Sequence, residues 1–144
     1  MGKKRIIQKT DLSGGNLVSS AVKIDLPKKK LSEGEAHIQS TYNNTIITIT
    51  DISGNVVMSS SSGSLGFSGA KKGTPYAATK VAEFLGEKSK AIGIQRFNIL
   101  VKGVGTGRES AIRSFVAQGF DLGFIRDITP VPHNGPRPQK PRRV

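Results

Sequence analysis

The chain contains no cysteine and no tryptophan, and its aromatic residues are limited to six Phe and two Tyr. Without cysteine there is no disulfide framework, no thiol catalysis and no cysteine-based zinc site, and the composition fits a reducing compartment. Few aromatics means that base stacking should not dominate any contact with nucleic acid. Long apolar runs are also missing. No stretch approaches the roughly 20 residues of a membrane span, and the opening "MGKKRIIQKTDLSGG" has a basic cluster but no apolar segment of signal-peptide length. Asp11 and Asp25 speak against an organellar transit peptide, a class poor in acids. Acids are scarce overall: ten Asp and Glu stand against 22 Lys and Arg, a net charge of +12 on 144 residues.

The excess charge is concentrated at the ends. Residues 1–35 carry eight cations and four acids, residues 36–129 ten and six, and residues 130–144 four and none. Each segment is therefore +4, although the middle one is by far the longest. This is the pattern of a compact domain with arms that grip a polyanion, and it points to nucleic acid. The ending "ITPVPHNGPRPQKPRRV" is its clearest expression, with five prolines between Pro130 and Val144. Such a segment packs no core. Proline removes part of the ordering entropy in advance, so the tail docks at lower cost than a glycine linker. In polyproline II form fifteen residues reach roughly 45 Å, with one turn at Asn134-Gly135. Arg137, Lys140, Arg142 and Arg143 are spaced along it to meet successive phosphates.

Residues 1–35 lack sustained periodicity and read as an extended basic arm with a short strand at Leu17–Ile24. The compact domain, residues 36–129, begins at Ala36. In "AHIQSTY", Ile38, Ser40 and Tyr42 alternate with His37, Gln39 and Thr41. "TIITITDI" follows, with Ile47 and Ile49 opposite Thr48 and Thr50. Both are strands, and Asn43-Asn44 between them tolerate the left-handed backbone of a tight hairpin. Ser53–Asn55 make the next turn, and "VVMSS" is a third strand. After the Gly/Ser loop Ser60–Gly73, Thr74-Pro75 reads as N-cap and first helical residue. That helix extends to about Lys90 and buries Ala78, Val81, Ala82 and Leu85. "QRFNILV" is a fourth strand, and Glu109–Gln118 a second helix with Ile112, Phe115 and Val116 inward and Gly119 as its stop. "FDLGFIRDI" is a fifth strand.

The order β-β-β-α-β-α-β predicts an α/β domain in two or three layers, similar to the ribonuclease H arrangement. With strands one and three codirectional, right-handed crossovers bring strands four and five parallel to them. The Asn43-Asn44 turn, the Gly/Ser loop, the "KGVGTGR" loop and the tail then leave from one end of the sheet, the carboxyl end where open α/β sheets bind ligands. Each helix starts just after a glycine-rich loop bearing cations, Lys71 and Lys72 in the first, Lys102 and Arg108 in the second. A helix N-terminus offers unpaired N–H groups and partial positive charge, so these loops read as two phosphate cradles. The competing reading is that the glycines simply permit tight turns.

Enzyme readings fare worse. Gly103, Gly105 and Gly107 give G-x-G-x-G where a dinucleotide fingerprint needs G-x-G-x-x-G, and no phosphate-loop lysine motif exists. A metal nuclease of ribonuclease-H-like fold needs convergent carboxylates. Asp51, Glu83, Glu87, Glu109, Asp121 and Asp127 are scattered, with only Asp51 and Glu83 able to meet. His37 lies on a strand's polar face, and His133 sits in the tail as a phosphate donor or stacking group. No cofactor, metal site or catalytic residue is expected. A general nucleic-acid chaperone would explain the charge but not two differently built glycine loops.

"AHIQSTYNNTIITITDISGNV", "GSLGFSGAKKGTPYAA", "VKGVGTGRESAIRS" and "IRDITPVPHNGPRP" resemble the universal small-subunit ribosomal protein eleven family in its bacterial form. The resemblance covers about residues 36–144. It implies a ribonuclease-H-like fold without nuclease activity, bound to small-subunit ribosomal RNA on the platform, bridging RNA helices near the messenger exit and the Shine–Dalgarno cleft. It implies small-subunit proteins seven and eighteen as partners, with initiation factor three and messenger RNA nearby and no membrane. The location implied is the cytoplasmic ribosome, with an organellar one left open. Carried over by position, RNA-facing residues are Asn43, Asn44, Gly66, Phe67, Lys71, Lys72, Gly103, Gly105, Gly107, Arg108, His133, Asn134, Arg137, Arg142 and Arg143. Lys102 and Lys140 join them on charge and position. The chain departs from the family pattern at Val104 and Thr106, where prolines are usual, and at Pro136, where cysteine is usual. Gln139 and Pro141 thin the basic finish, so fewer phosphate contacts are expected from this tail.

Overall fold

The computed structural model describes residues 30–143; the expected strand at Leu17–Ile24 and most of the N-terminal arm lie outside them. Five strands and two helices follow in the order β1 (Glu33–Ser40), β2 (Thr45–Thr50), β3 (Val56–Ser61), α1 (Pro75–Ile92), β4 (Arg96–Lys102), α2 (Gly107–Ala117) and β5 (Asp121–Asp127). The strands form one mixed sheet in the order β3-β2-β1-β4-β5. β1 and β2 are antiparallel, as are β2 and β3, whereas β1–β4 and β4–β5 are parallel.

Alternation in β1 buries Ala36, Ile38 and Ser40, and in β2 Thr45, Ile47 and Ile49. The strand starts at Glu33, three residues before Ala36, because Glu33–Glu35 pair with Arg96–Asn98. That pairing is a tertiary effect with no local apolar signal. At the other end the strand stops at Ser40, so Tyr42 falls in the following turn and is 77% exposed instead of facing inward.

Both helices pack on one face of the sheet and on each other, giving two layers. α1 is held at its start by Thr74, whose Oγ1 accepts from Ala77 N at 3.3 Å with Pro75 as the first helical residue. It ends at Gly93, whose φ of 100° glycine adopts without the Cβ penalty. Its buried face contains the expected Ala78, Val81, Ala82 and Leu85, and continues to Ile92. α2 begins at Gly107, two residues earlier than expected, and buries Ala111, Ser114 and Phe115, while Val116 is 52% exposed. The inward face is set by the small residues against α1, where Ser114 Oγ donates to Thr79 O. Ile112 packs partly buried against the core as expected, and Val116 turns away from it. Phe97 of β4, Phe115 of α2 and Phe120 before β5 form a cluster with centroids 4.9–6.1 Å apart, tying the second crossover to the sheet. Among the described residues no helix is long and apolar enough to cross a membrane.

Candidate nucleic-acid interface

Since β1, β3, β4 and β5 run the same way, Ser40, Ser61, Lys102 and Asp127 end at one edge, as the topology argument requires. The β1–β2 connection there is a four-residue loop. Thr41 N donates to Asn44 O at 2.9 Å, and Asn44 N donates to Thr41 Oγ1 at 3.1 Å. Among the described residues Asn134 is the only non-glycine with positive φ, so Asn43-Asn44 do not adopt the left-handed turn expected of them. The Thr41 hydroxyl ties the loop instead, donating to Asn44 O and accepting from Asn44 N. Asn43 is exposed, and Asn44 is half-buried with its Oδ1 lacking a hydrogen-bond partner.

The "KGVGTGR" loop folds back against this turn. A Cβ on Gly103 would lie 2.1 Å from Ser40 O, one on Gly105 2.3 Å from Thr41 O, and one on Gly107 2.6 Å from Thr45 Oγ1. Gly105 N donates to Ser40 O at 2.9 Å. Close approach of the chain to itself therefore accounts for all three glycines, and their role as openings for phosphate is not needed to explain them. Gly73, in a short 3₁₀ helix at Gly69–Gly73, is used in the same way against Tyr42 O. Thr106 Oγ1 donates to Gly73 O at 2.9 Å, joining the two glycine loops directly. Gly66 differs: its φ is 90° and nothing lies within 4 Å of its Cβ position, so only the turn requires glycine.

The cations divide into two groups. Arg108 donates to Gly103 O at 2.7 Å and to the Asp127 carboxylate, so its guanidinium is engaged inside the fold. Asp127 also accepts from Thr129 N at 2.9 Å and Thr129 Oγ1 at 2.6 Å, while Gly103 N donates to that hydroxyl at 3.1 Å. The Thr129 hydroxyl, followed by Arg108, holds the Asp127 carboxyl well below the usual carboxylate range. Lys71, Lys72 and Lys102 form no ion pair among the described residues; Lys71 and Lys102 are exposed and Lys72 is half-buried. In the tail His133, Arg137, Lys140, Arg142 and Arg143 are all exposed, and Asn134, at φ 52°, makes the turn before Gly135.

The two helix starts are unequal. Thr74 caps α1 from within, so its first-turn donors are partly used. At α2, Thr106 gives no side-chain cap and spends its hydroxyl on Gly73 instead. Phe67 is half-buried and meets Tyr76 edge-on at 6.0 Å, fastening the serine loop to α1. Leu65, buried amid "SSSGSLGF", anchors the same loop in the core, a role that no periodicity around it signals. Thr129 is a second residue that sequence reasoning missed; the Asp-x-Thr spacing at the end of β5 is the signal that reveals it. No group of three or more His, Cys, Asp or Glu that could hold a metal ion occurs among the described residues. Glu83 instead pairs with Lys80, and Asp51 accepts from Asn55 in the β2–β3 turn.

Comparison with known proteins agrees with this architecture. The sequence profile described as ribosomal protein S11 matches residues 34–143. Two relatives, each called small ribosomal subunit protein uS11, come from two strains of the bacterium Treponema pallidum, one of them strain Nichols. Each is 54% identical over 117 residues, covering 81% of this chain and 93% of the relative. The family is one of structural, non-enzymatic ribosomal proteins. With the family match covering residues 34–143 and 54% identity to these relatives over 81% of its length, the chain belongs to the ribosomal protein S11 family, in its bacterial form.

Proposed function

We propose that this protein is a structural, RNA-binding constituent of the small ribosomal subunit that seats on the platform and bridges ribosomal RNA helices near the messenger exit. The domain is ribonuclease-H-like in its strand order and carries no catalytic centre. Its carboxyl edge and both basic arms face the RNA, with small-subunit proteins seven and eighteen beside it and initiation factor three and messenger RNA close by. The observation that carries this reading is the convergence of cations with no ion pair in the described fold. Lys71, Lys72 and Lys102 stand at the edge from which the tail, bearing Arg137, Lys140, Arg142 and Arg143, departs. Cations without carboxylate partners at one rim are the requirement for displacing counterions from phosphates. Arg108 serves this surface indirectly, by holding the loop that presents Lys102.

The test is binding of the full chain to the central domain of small-subunit ribosomal RNA across a salt series, against duplex DNA of equal length. Preference for the RNA that persists at physiological salt is the expected result. Equal and equally salt-dependent binding to both would instead describe a general nucleic-acid chaperone, and Mg²⁺-dependent cleavage abolished by Asp51→Asn would describe a nuclease.

A further inference from the structure

At the carboxyl edge lies an open cleft of about 380 Å³ between the end of β1 and the start of the tail. Exposed Tyr42, Val104, Pro130, Gln39 and Lys102 line it, with buried Ser40 and half-buried Gly103 and Thr129 beneath them. Its size falls in the range of small-ligand sites, roughly 300–1,000 Å³. Its lining is predominantly apolar, although it sits on the most cationic part of the fold.

The polar groups beneath the cleft are already satisfied. Ser40 O accepts from Gly105 N, Gly103 O accepts from Arg108, and Thr129 Oγ1 accepts from Gly103 N while donating to Asp127. Nothing there requires water, so the floor suits an apolar or planar occupant. The walls are large apolar groups left in solvent: Tyr42 is 77% and Val104 59% exposed. The Tyr42 ring packs against no other aromatic in the described fold. The lining side chains that form no hydrogen bond among the described residues are exposed ones, the Gln39 amide, the Lys102 ammonium and the Tyr42 hydroxyl. An occupant with an apolar face, polar edges and an attached anion matches this distribution. An apolar protein side chain would leave Lys102 unanswered.

We infer that the cleft takes one unstacked nucleobase of the bound RNA, laid against Tyr42 and Val104, with its backbone phosphate at Lys102. The inference rests on the RNA-binding function proposed above and adds a contact of different physics. Lysine and arginine contacts release counterions and scale with salt, whereas a stacked base is nearly salt-independent. The position of Val104 is consistent with this role: a loop residue packed internally would not expose a branched apolar side chain beside an exposed tyrosine.

The experiment measures affinity of the full chain for the central-domain transcript, for wild type, Tyr42→Ala and Tyr42→Phe, at several salt concentrations. Tyr42 is exposed, so neither variant threatens folding, and equal melting temperatures check this. Tyr42→Ala is expected to weaken binding by roughly 5- to 150-fold, the range for losing one aromatic–base stack, with the slope of log affinity against log salt unchanged. Tyr42→Phe should bind like wild type. If wild type binds the transcript and Tyr42→Ala binds equally well, the base site is overturned while the function stands. If Tyr42→Ala retains RNA affinity but is not incorporated into subunits, the cleft belongs to a protein side chain and the inference is again overturned. If wild type shows no preference for the transcript, the proposed function itself fails and takes the base site with it.

Discussion

Arg108, in the first turn of α2, and Asp127, at the end of β5, are joined by a hydrogen-bonded ion pair, and Arg108 also reaches Gly103 O at the end of β4. At the carboxyl edge the start of α2, the end of β5 and the residue that follows β4 are thus fastened by one guanidinium. Thr129 completes the arrangement by bonding both Asp127 and Gly103 N. The geometry of the basic edge therefore depends on a carboxylate, in a chain with few of them.

That dependence gives a pH signature. The folded Asp127 carboxyl titrates well below its unfolded value because Thr129 and Arg108 stabilise the charged form. Its contribution is present above the unfolded value of about 4 and is lost as pH falls from there through the lower folded value. Wild type should melt higher than Asp127→Asn at pH 7, and the gap should narrow steadily as pH drops below about 4. Thermal melts of both proteins from pH 7 downward check this. A gap that does not change with pH would mean the carboxylate charge is not what holds the loop.

Period and punctuation make most of the framework legible in the sequence. The alternation in β1 and β2, the Thr74-Pro75 start and the stop at Gly119 are local effects, decided by residues within a few positions. The convergence of loops at one edge follows from chain direction alone. What stays hidden is decided by partners far along the chain. The reach of β1 back to Glu33 depends on Arg96, and the inward face of α2 depends on α1. The engagement of Arg108 depends on an acid nineteen residues away. Glycines pose a sharper difficulty, because phosphate approach and self-approach demand the same missing side chain.

Glycine substitutions separate backbone strain from close approach. Gly54 and Gly103 both have left-handed φ, 86° and 101°, but nothing lies within 4 Å of a Cβ at Gly54. At Gly103 the Cβ would sit 2.1 Å from Ser40 O. Gly54→Ala should cost about 1–2 kcal/mol, the conformational penalty alone. Gly103→Ala should cost more than that, through displacement of the loop from β1. Urea denaturation midpoints of the two variants give the comparison, and equal losses would remove the close-approach explanation.

The core supplies a contrast. Ile99 is fully buried in β4, between Ala36 of β1 and Ile125 of β5. Truncation leaves a cavity bounded by two strands and the helical layer, so Ile99→Ala should destabilise by roughly 2–5 kcal/mol. It should do so without changing the salt dependence of RNA binding under folding conditions. A loss below about 0.5 kcal/mol, well under the usual range for such truncations, would contradict the central position of this strand.

The tail should behave in the opposite way. Arg137, Lys140, Arg142 and Arg143 are exposed and form no ion pair among the described residues. Replacing all four with glutamine should leave the melting temperature of the free protein unchanged, because no core contact is lost. In RNA binding the same substitutions should flatten the plot of log affinity against log salt by about 0.7–0.9 per phosphate contact removed. The size of that change counts the contacts the tail makes, a number that Gln139 and Pro141 already limit by taking the place of cations. Tyr42→Ala, which leaves the slope alone, and the four-fold glutamine variant, which lowers it, therefore divide the interface into its stacking and electrostatic parts. An unchanged slope in the glutamine variant would mean that the proline-stiffened tail does not lie on phosphate, and its charge would then need another anionic partner.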